Sequence, residues 1–313
     1  MKDLVIFVGC YKGDYHLVKI LCQSIRYFCG DILVVLIKDG NFNTSQIKKL
    51  GNIKEFDRKT VPDPLRNLAG WGLPKLLAFF QDQFERFLYL DSDTVLLNNI
   101  LEIPFLEADF YVDSYLPGED FASDRFGQWL RTYIFNIEKL SSLDPEFVLN
   151  DRMVFFNTGQ MFGRSGLLCL DVVLECIKHW VGGNDTFACA DQGILNYILN
   201  KGAQNGSFTL KGAKFKIGAG YETFERFPGL TSDNVVGCRF RDRHVIHFAG
   251  MRPSSIDKSS YSFVMEEFYT RYYKHFPFYV EYLDRLGRIQ SDLLRKARNI
   301  GRSVLSRLTL SGV

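Results

Sequence analysis

The chain has 313 residues, 46% of them hydrophobic and 24% charged, with a formal net charge of +2. That balance is ordinary for a globular protein and leaves no overall basic surplus for a nucleic-acid binder. Cysteines at 10, 22, 29, 169, 176, 189 and 238 are odd in number and form no Cys-x-x-Cys pair, which speaks against a disulfide framework or a zinc finger and suits a reducing compartment.

At this length, one large α/β domain with an appendage, or two domains, is expected. Leu4-Val5-Ile6-Phe7-Val8-Gly9-Cys10 reads as a first buried parallel strand. The residues before it, Met1-Lys2-Asp3, are too few and too acidic for a signal peptide. No apolar run is long enough to cross a bilayer, so a cytoplasmic protein is expected. Asp14 is placed to cap a helix through about Phe28, with Leu17, Ile20, Leu21 and Ile25 as its apolar stripe. Ile32 to Ile37 reads as a second strand, closed by Asp39-Gly40-Asn41, and a short helix to Leu50 leads to a third strand, Ile53 to Phe56. Strand and helix thus alternate as in a Rossmann-like, doubly wound, mostly parallel sheet flanked by helices. Neither Gly-x-Gly-x-x-Gly nor a Walker loop is present, so a dinucleotide fold and a P-loop kinase are not supported.

Residues 58–70 read as a loop, and a helix is expected from Trp71 through Lys75, Leu77, Phe79 and Phe80 to about Gln83. Lys75 would sit in its first turn, either as a snorkelling surface lysine or as a phosphate or ribose contact. The chain then turns on Phe87-Leu88-Tyr89-Leu90-Asp91-Ser92-Asp93, a buried strand delivering two carboxylates to a crevice at the sheet's carboxyl edge. Two such carboxylates are costly to desolvate and raise each other's pKa unless a cation lies between them. Hard oxygen ligands suit Mg²⁺ or Mn²⁺. The plainer reading is a solvated turn.

Ala108 to Asp113 reads as another strand, and a helix is expected near Phe121 to Tyr133. In Phe155-Phe156-Asn157-Thr158-Gly159-Gln160-Met161-Phe162 the polar middle needs partners, in the protein or in a bound sugar or phosphate, unless Gly159 marks a bulge. Leu167 to Trp180 reads as a helix, and Ala190-Asp191-Gln192 opens the next. Capping explains Asp191 there but not Gln192. Val235-Val236-Gly237 and Val245 to Pro253 supply late strands. His247 among them is either a satisfied core imidazole or a metal ligand. Gly250 and Arg252 suit an anion contact. Past residue 255 the character changes. Arg285, Arg288, Arg295, Lys296, Arg298, Arg302 and Arg307 stand against the single acid Asp292, with apolar residues every three or four positions. Such a basic amphipathic helix lies on anionic membrane surfaces or packs on its own domain with solvated arginines.

Lys75, Asp91-x-Asp93, Asn157-Thr158-Gly159, Asp191-Gln192 and His247-Phe248-x-Gly250 come in an order that resembles the retaining glycosyltransferases of family 8. That is the group of glycogenin and the bacterial lipooligosaccharide galactosyl- and glucosyltransferases. The resemblance spans roughly residues 4 to 253. It implies a GT-A fold over residues 1–255, a helical extension over 256–313, and transfer of a hexose with retention from a nucleotide sugar, usually a UDP-sugar. The acceptor would be a saccharide, a lipid-linked glycan or glycolipid, or a protein. Carried over residue by residue, Asp91, Asp93 and His247 would bind Mn²⁺ or Mg²⁺. Lys75 and Ser92 would meet the donor, Asn157 and Asp191 the transferred sugar, and Gln192 would lie by the anomeric carbon. Gly250 with Arg252 would meet the diphosphate. The basic tail, over residues 285–310, resembles the membrane-associating tail of some bacterial members and implies a peripheral protein at the inner face of a membrane. Two departures stand out. Gly9-Cys10-Tyr11 replaces the family's acid after the first strand, leaving Tyr11 to stack on the base. The terminal motif is one residue short, with Arg252 for its lysine and Ser254 for its tryptophan.

Two other functions fit parts of the pattern. Asp91-x-Asp93 also matches the nucleophile loop of haloacid-dehalogenase-type phosphatases, but that motif opens its domain and no later Asp-Asp pair completes it here. A non-catalytic module that binds nucleotide sugars is the third reading.

Overall fold

A computed structural model gives the structure of the protein and describes residues 4–114, 124–181, 186–219, 230–232, 234–236, 243–251, 259 and 261–287. In chain order its strands are β1 (Leu4–Tyr11), β2 (Val34–Asp39), β3 (Ile53–Glu55), β4 (Arg86–Leu90), β5 (Thr94–Leu96), β6 (Phe110–Ser114), β7 (Phe156–Arg164), β8 (Leu210–Ala213), β9 (Lys216–Gly218) and β10 (Val245–His247).

Seven of them form one sheet in the order β3-β2-β1-β4-β7-β6-β8. β1 runs parallel to β2 and β4, β2 to β3, and β6 to β8, while β7 is antiparallel to both β4 and β6. The sheet is therefore mixed and mostly parallel, with helices on its faces. Period-two alternation sends successive side chains to opposite faces. Val5, Phe7, Phe87 and Tyr89 join one apolar cluster, and Ile6, Val8, Leu88 and Leu90 join the other. Strands covered on both faces are apolar at every position, which is why β1, β2 and β4 are legible as unbroken runs.

A second sheet, β5-β10-β9, sits at the carboxyl end of β4. β5 follows directly on Asp91-Ser92-Asp93, and β10 pairs with it antiparallel so that His247 stands opposite Thr94. This small sheet carries His247 back to the acidic pair. It packs through Val95, Ile217, Ile246 and Phe248 on the helices Tyr15–Cys29 and Ser262–Tyr273. Phe268 of the latter lies 5.9 Å from Phe28 between ring centroids. Residues 278–287 are helical and are tied down by Asp284, which accepts from Lys19 at 2.7 Å and from Tyr273.

Several expectations need correction. The helix from Trp71 to Gln83 is a 3-10 turn, Leu73–Leu76, followed by one α turn, Leu77–Phe80. Trp71 and Gly72 hold φ of 52° and 76°, a left-handed backbone from which a right-handed helix cannot start. Val235 and Val236 form a turn rather than a strand, and Gly237 lies outside the described residues. Asp14 precedes its helix without a side-chain capping bond. Strands β8 and β9 have no apolar run to announce them.

Candidate active site

The acidic pair sits where β4 ends. Asp91 N–H donates to Gly159 O of β7 at 2.7 Å, and Thr94 N–H closes the turn onto Asp91 O at 3.2 Å. Phe248 N–H donates to Asp93 O at 2.9 Å, tying the end of β10 to the same turn. Three backbone hydrogen bonds therefore fix the turn that bears both carboxylates and the strand that bears His247. His247 Nε2 comes within 3.1 Å of Asp93 Oδ1, and one ligand atom each from Asp91, Asp93 and His247 lies within 4.8 Å of the other two. His247 is buried, whereas the Asp91 side chain keeps 31% of its exposure, so the group forms a floor open to solvent on the Asp91 side.

β7 shapes that floor. Its register with β6 slips, since Val112 pairs with Met161 while Ser114 pairs with Phe156. The intervening Asn157-Thr158-Gly159-Gln160 is the irregularity expected around Gly159, and within it Gln160 stays in register with Leu90 of β4. Every side chain in it has a partner. Asn157 Nδ2 donates to Gln192 Oε1 at 3.0 Å, and Thr158 Oγ1 donates to Asp191 Oδ2 at 2.6 Å. Gln160 Nε2 donates to Thr94 Oγ1 at 2.7 Å. Gly159 has none to offer, and space requires that. A Cβ there would come within 2.8 Å of His247 Cε1, 2.8 Å of Asn157 Oδ1 and 2.9 Å of Asp91 Oδ2.

Lys75 is the cation of the site, and it is buried rather than a surface residue. Its Nζ lies 2.7 Å from Asp191 Oδ2, 3.3 Å from Asp91 Oδ1, 3.1 Å from Thr158 Oγ1 and 3.2 Å from Thr158 O. Burial works against its charge, but Asp191 and Asp91 together outweigh that and hold its pKa above the usual lysine value. Burial pushes Asp91 up, with Lys75 opposing, and Tyr89 donates to Asp91 Oδ1 at 3.0 Å. Asp93 goes the other way: burial penalises its charge, but His247 outweighs that and holds it below the usual range.

The helix Asp191–Gln204 brings the last partners. Ala190, not Asp191, stands at the cap position, and the Asp191 carboxylate, in the first turn, goes to Lys75 and Thr158. Gln192 Nε2 donates to Tyr133 O at 2.9 Å, so its carboxamide is held at both ends. Four residues further along the same face, Asn196 accepts from Phe156 N at 3.0 Å and donates to Phe156 O at 2.9 Å. Asn200 does the same to Val154, at 2.9 Å in both directions. Side chains at i, i+4 and i+8 thus clamp this helix to β7. The spacing of Gln192, Asn196 and Asn200 was the sequence signal for that clamp.

Lys75, Asp91, Asp93, Asn157, Asp191, Gln192 and His247 thus converge, with Ser92 in the turn between the two carboxylates. Tyr11 stands apart at the end of β1, 53% exposed and in register with Asp39. Gly250 (φ 68°) lies in the turn that follows β10. Arg252 lies outside the described residues. Gly159, Thr158 and Tyr89 belong to the site without having been singled out as site residues.

Residues that bind a divalent cation should offer hard oxygens and an imidazole from a rigid frame with room between them. This group does: the space above Gly159 is kept free of any side chain of its own. Adjacent ligands of an octahedral ion at about 2.1 Å are about 3 Å apart, close to the 3.1 Å between His247 and Asp93.

No protein-family model and no curated protein matches the chain. Solved structures do. The apo structure of the bifunctional glycosyltransferase WbbM aligns with 87% of this chain at 13% identity and a TM-score of 0.56, although the chain spans only 51% of WbbM. The galactosyltransferase LgtC, in complex with donor and acceptor sugar analogues, aligns with 85% of this chain and 95% of its own at 13% identity and a TM-score of 0.52. An active-site mutant of LgtC gives 14% identity and a TM-score of 0.54. The chain has the GT-A fold of these glycosyltransferases.

Proposed function

We propose that the protein is a metal-dependent hexosyltransferase of the family 8 kind, moving a hexose with retention from a nucleotide sugar, a UDP-sugar, to a saccharide, lipid-linked glycan or protein acceptor. The observation that carries this reading is the convergence of Asp91, Asp93 and His247 over Gly159, from two sheets and distant parts of the chain. In it, residues 1–255 form the catalytic unit and 256–313 its extension.

Sugar transfer builds negative charge on the leaving diphosphate and positive charge on the anomeric carbon. Mn²⁺ or Mg²⁺ held by Asp91, Asp93 and His247 supplies positive charge against the first. Lys75 pairs with both Asp91 and Asp191 and holds them in place, which presents the carboxylate edge to the donor without a rearrangement at the moment of reaction. Gln192, gripped by Asn157 and the Tyr133 carbonyl, keeps a fixed carbonyl oxygen at the cleft. A carboxamide is too weak a nucleophile for a stable covalent intermediate. The acceptor hydroxyl is therefore deprotonated by the departing phosphate on the same face, and the retained configuration follows. Tyr11 stacks on the base, Ser92 contacts the donor, and Gly250 with Arg252 contacts the diphosphate.

We also read the extension as a membrane contact. No described helix is long and apolar enough to cross a membrane. The helix at 278–287 turns Phe278, Tyr279, Tyr282, Leu283 and Leu286 to solvent, with Phe278 86% exposed. That stripe leads into the basic residues beyond 287, so aromatic insertion and anionic attraction act together, as peripheral binding requires.

The test is release of nucleoside diphosphate from a panel of nucleotide sugars with and without Mn²⁺. Metal-dependent release is expected, and Asp93→Asn should abolish it while the fold is kept. Release of inorganic phosphate would favour the phosphatase, and binding without turnover the non-catalytic module. No observation in the structure or among the similar folds favours either.

A further inference from the structure

Three tryptophans occur in the chain, and all of them flank Asp191 and Gln192. Trp71 adjoins Gly72, whose Cα faces the Asp191 carboxylate so closely that a Cβ there would collide with both its oxygens and Cγ. Its ring meets that of Trp180 edge to face at 6.2 Å. On the other side, Trp129 packs 6.3 Å from Tyr133, the residue whose carbonyl holds Gln192.

Trp71 is anomalous in two independent ways. It is 76% exposed, the largest kind of apolar side chain left in water. Its φ of 52° is left-handed, a conformation that bulky residues adopt only when the surroundings impose it. The surroundings do impose it: Gly70 and Gly72 on either side are also left-handed, and Gly70 N–H is fixed by Asp39 Oδ2 at 2.8 Å. Folding gains little by holding an indole there. Backbone strain at an exposed aromatic next to a reactive cleft is the pattern of a binding position.

We propose that Trp71, braced by Trp180, is the platform on which the acceptor saccharide stacks. The inference rests on the sugar-transfer reading. A pyranose presents a face of C–H groups that an indole can cover, while its rim of hydroxyls stays hydrated. The acceptor, rather than the donor nucleotide, is assigned to it by position. Lys75 links the metal group, through Asp91, to Asp191, whose carboxylate lies against Gly72 next to Trp71. Tyr11, the proposed base contact, is carried by another element, at the end of β1.

The experiment follows the indole N–H resonances of the ¹⁵N-labelled protein during titration with lactose, maltose and methyl β-D-galactopyranoside, each with and without UDP and Mn²⁺. Trp71→Phe identifies the Trp71 signal. That signal should shift saturably with at least one saccharide, and Trp71→Ala should weaken the binding about tenfold, as truncation of an aromatic anchor does. Acceptor KM should rise by the same factor. Trp71→Gly should melt higher than Trp71→Ala, because glycine relieves the left-handed backbone. An indole signal unmoved by every saccharide, a shift produced by UDP and Mn²⁺ alone, or an unchanged acceptor KM in Trp71→Ala would overturn the proposal. A saccharide response at Trp71 in a protein that neither binds nor hydrolyses nucleotide sugars would instead overturn the transferase reading and leave the platform standing.

Discussion

The ammonium of Lys75 lies 2.7 Å from Asp191 and 3.3 Å from Asp91, so one buried cation joins the turn after β4 to the start of the helix Asp191–Gln204. Removing it leaves two carboxylates at the cleft floor without their compensating charge. Lys75→Met should cost about 3–5 kcal/mol of stability, as breaking buried pairs does. Adding Asp191→Asn should restore part of that loss. Urea unfolding of the single and double variants checks this, and additive losses would show that the pair is not coupled.

Asn196 offers a test of the scaffold that leaves every ligand in place. Its carboxamide satisfies both the N–H and the C=O of Phe156. Asn196→Leu should therefore destabilise the protein by about 1–3 kcal/mol for each backbone group left unsatisfied. Because the clamp sets Gln192 against Asn157, kcat should fall as well, more than the loss of folded protein explains.

Gly159 can be replaced without backbone strain, because its φ is not left-handed. Its role is space. Gly159→Ala should cost about 1–3 kcal/mol through crowding and weaken Mn²⁺ binding about 10–100-fold, the scale seen when a metal site's supporting shell is disturbed. Calorimetric titration with MnCl₂ measures it. Wild-type affinity in this variant would remove the cradle from the account.

Tyr282 and Leu283 stand 62% and 61% exposed on the helix at 278–287, opposite the face that Asp284 anchors to Lys19. Tyr282→Asp with Leu283→Asp should weaken sedimentation with phosphatidylserine vesicles severalfold while leaving donor hydrolysis intact. Equal sedimentation of variant and wild type would show that the aromatic stripe does not meet lipid.

What the sequence made legible follows from local physics. The apolar runs of β1, β2 and β4 had to be buried strands, and Asp91 and Asp93 at the end of one of them had to face a crevice. What stayed hidden depends on distant partners. β8 and β9 carry Lys211, Gly212 and Lys216 and are strands only because β6 and β10 pair with them. Asp113 fixes their junction by accepting from the N–H groups of Phe215 and Lys216 at 2.8 Å each. The left-handed Trp71 has no signature, since nothing but its neighbours enforces it. His247 was ambiguous for the same reason: the alternatives differed only in what lay across the second sheet, and that is Asp93.

The account rests on one divalent cation held by Asp91, Asp93 and His247. Anomalous scattering from crystals grown with UDP and Mn²⁺ locates that ion directly. A single manganese peak should appear in contact with a carboxylate oxygen of each aspartate, His247 Nε2 and the diphosphate. A peak elsewhere, or none when UDP is bound, would contradict the account.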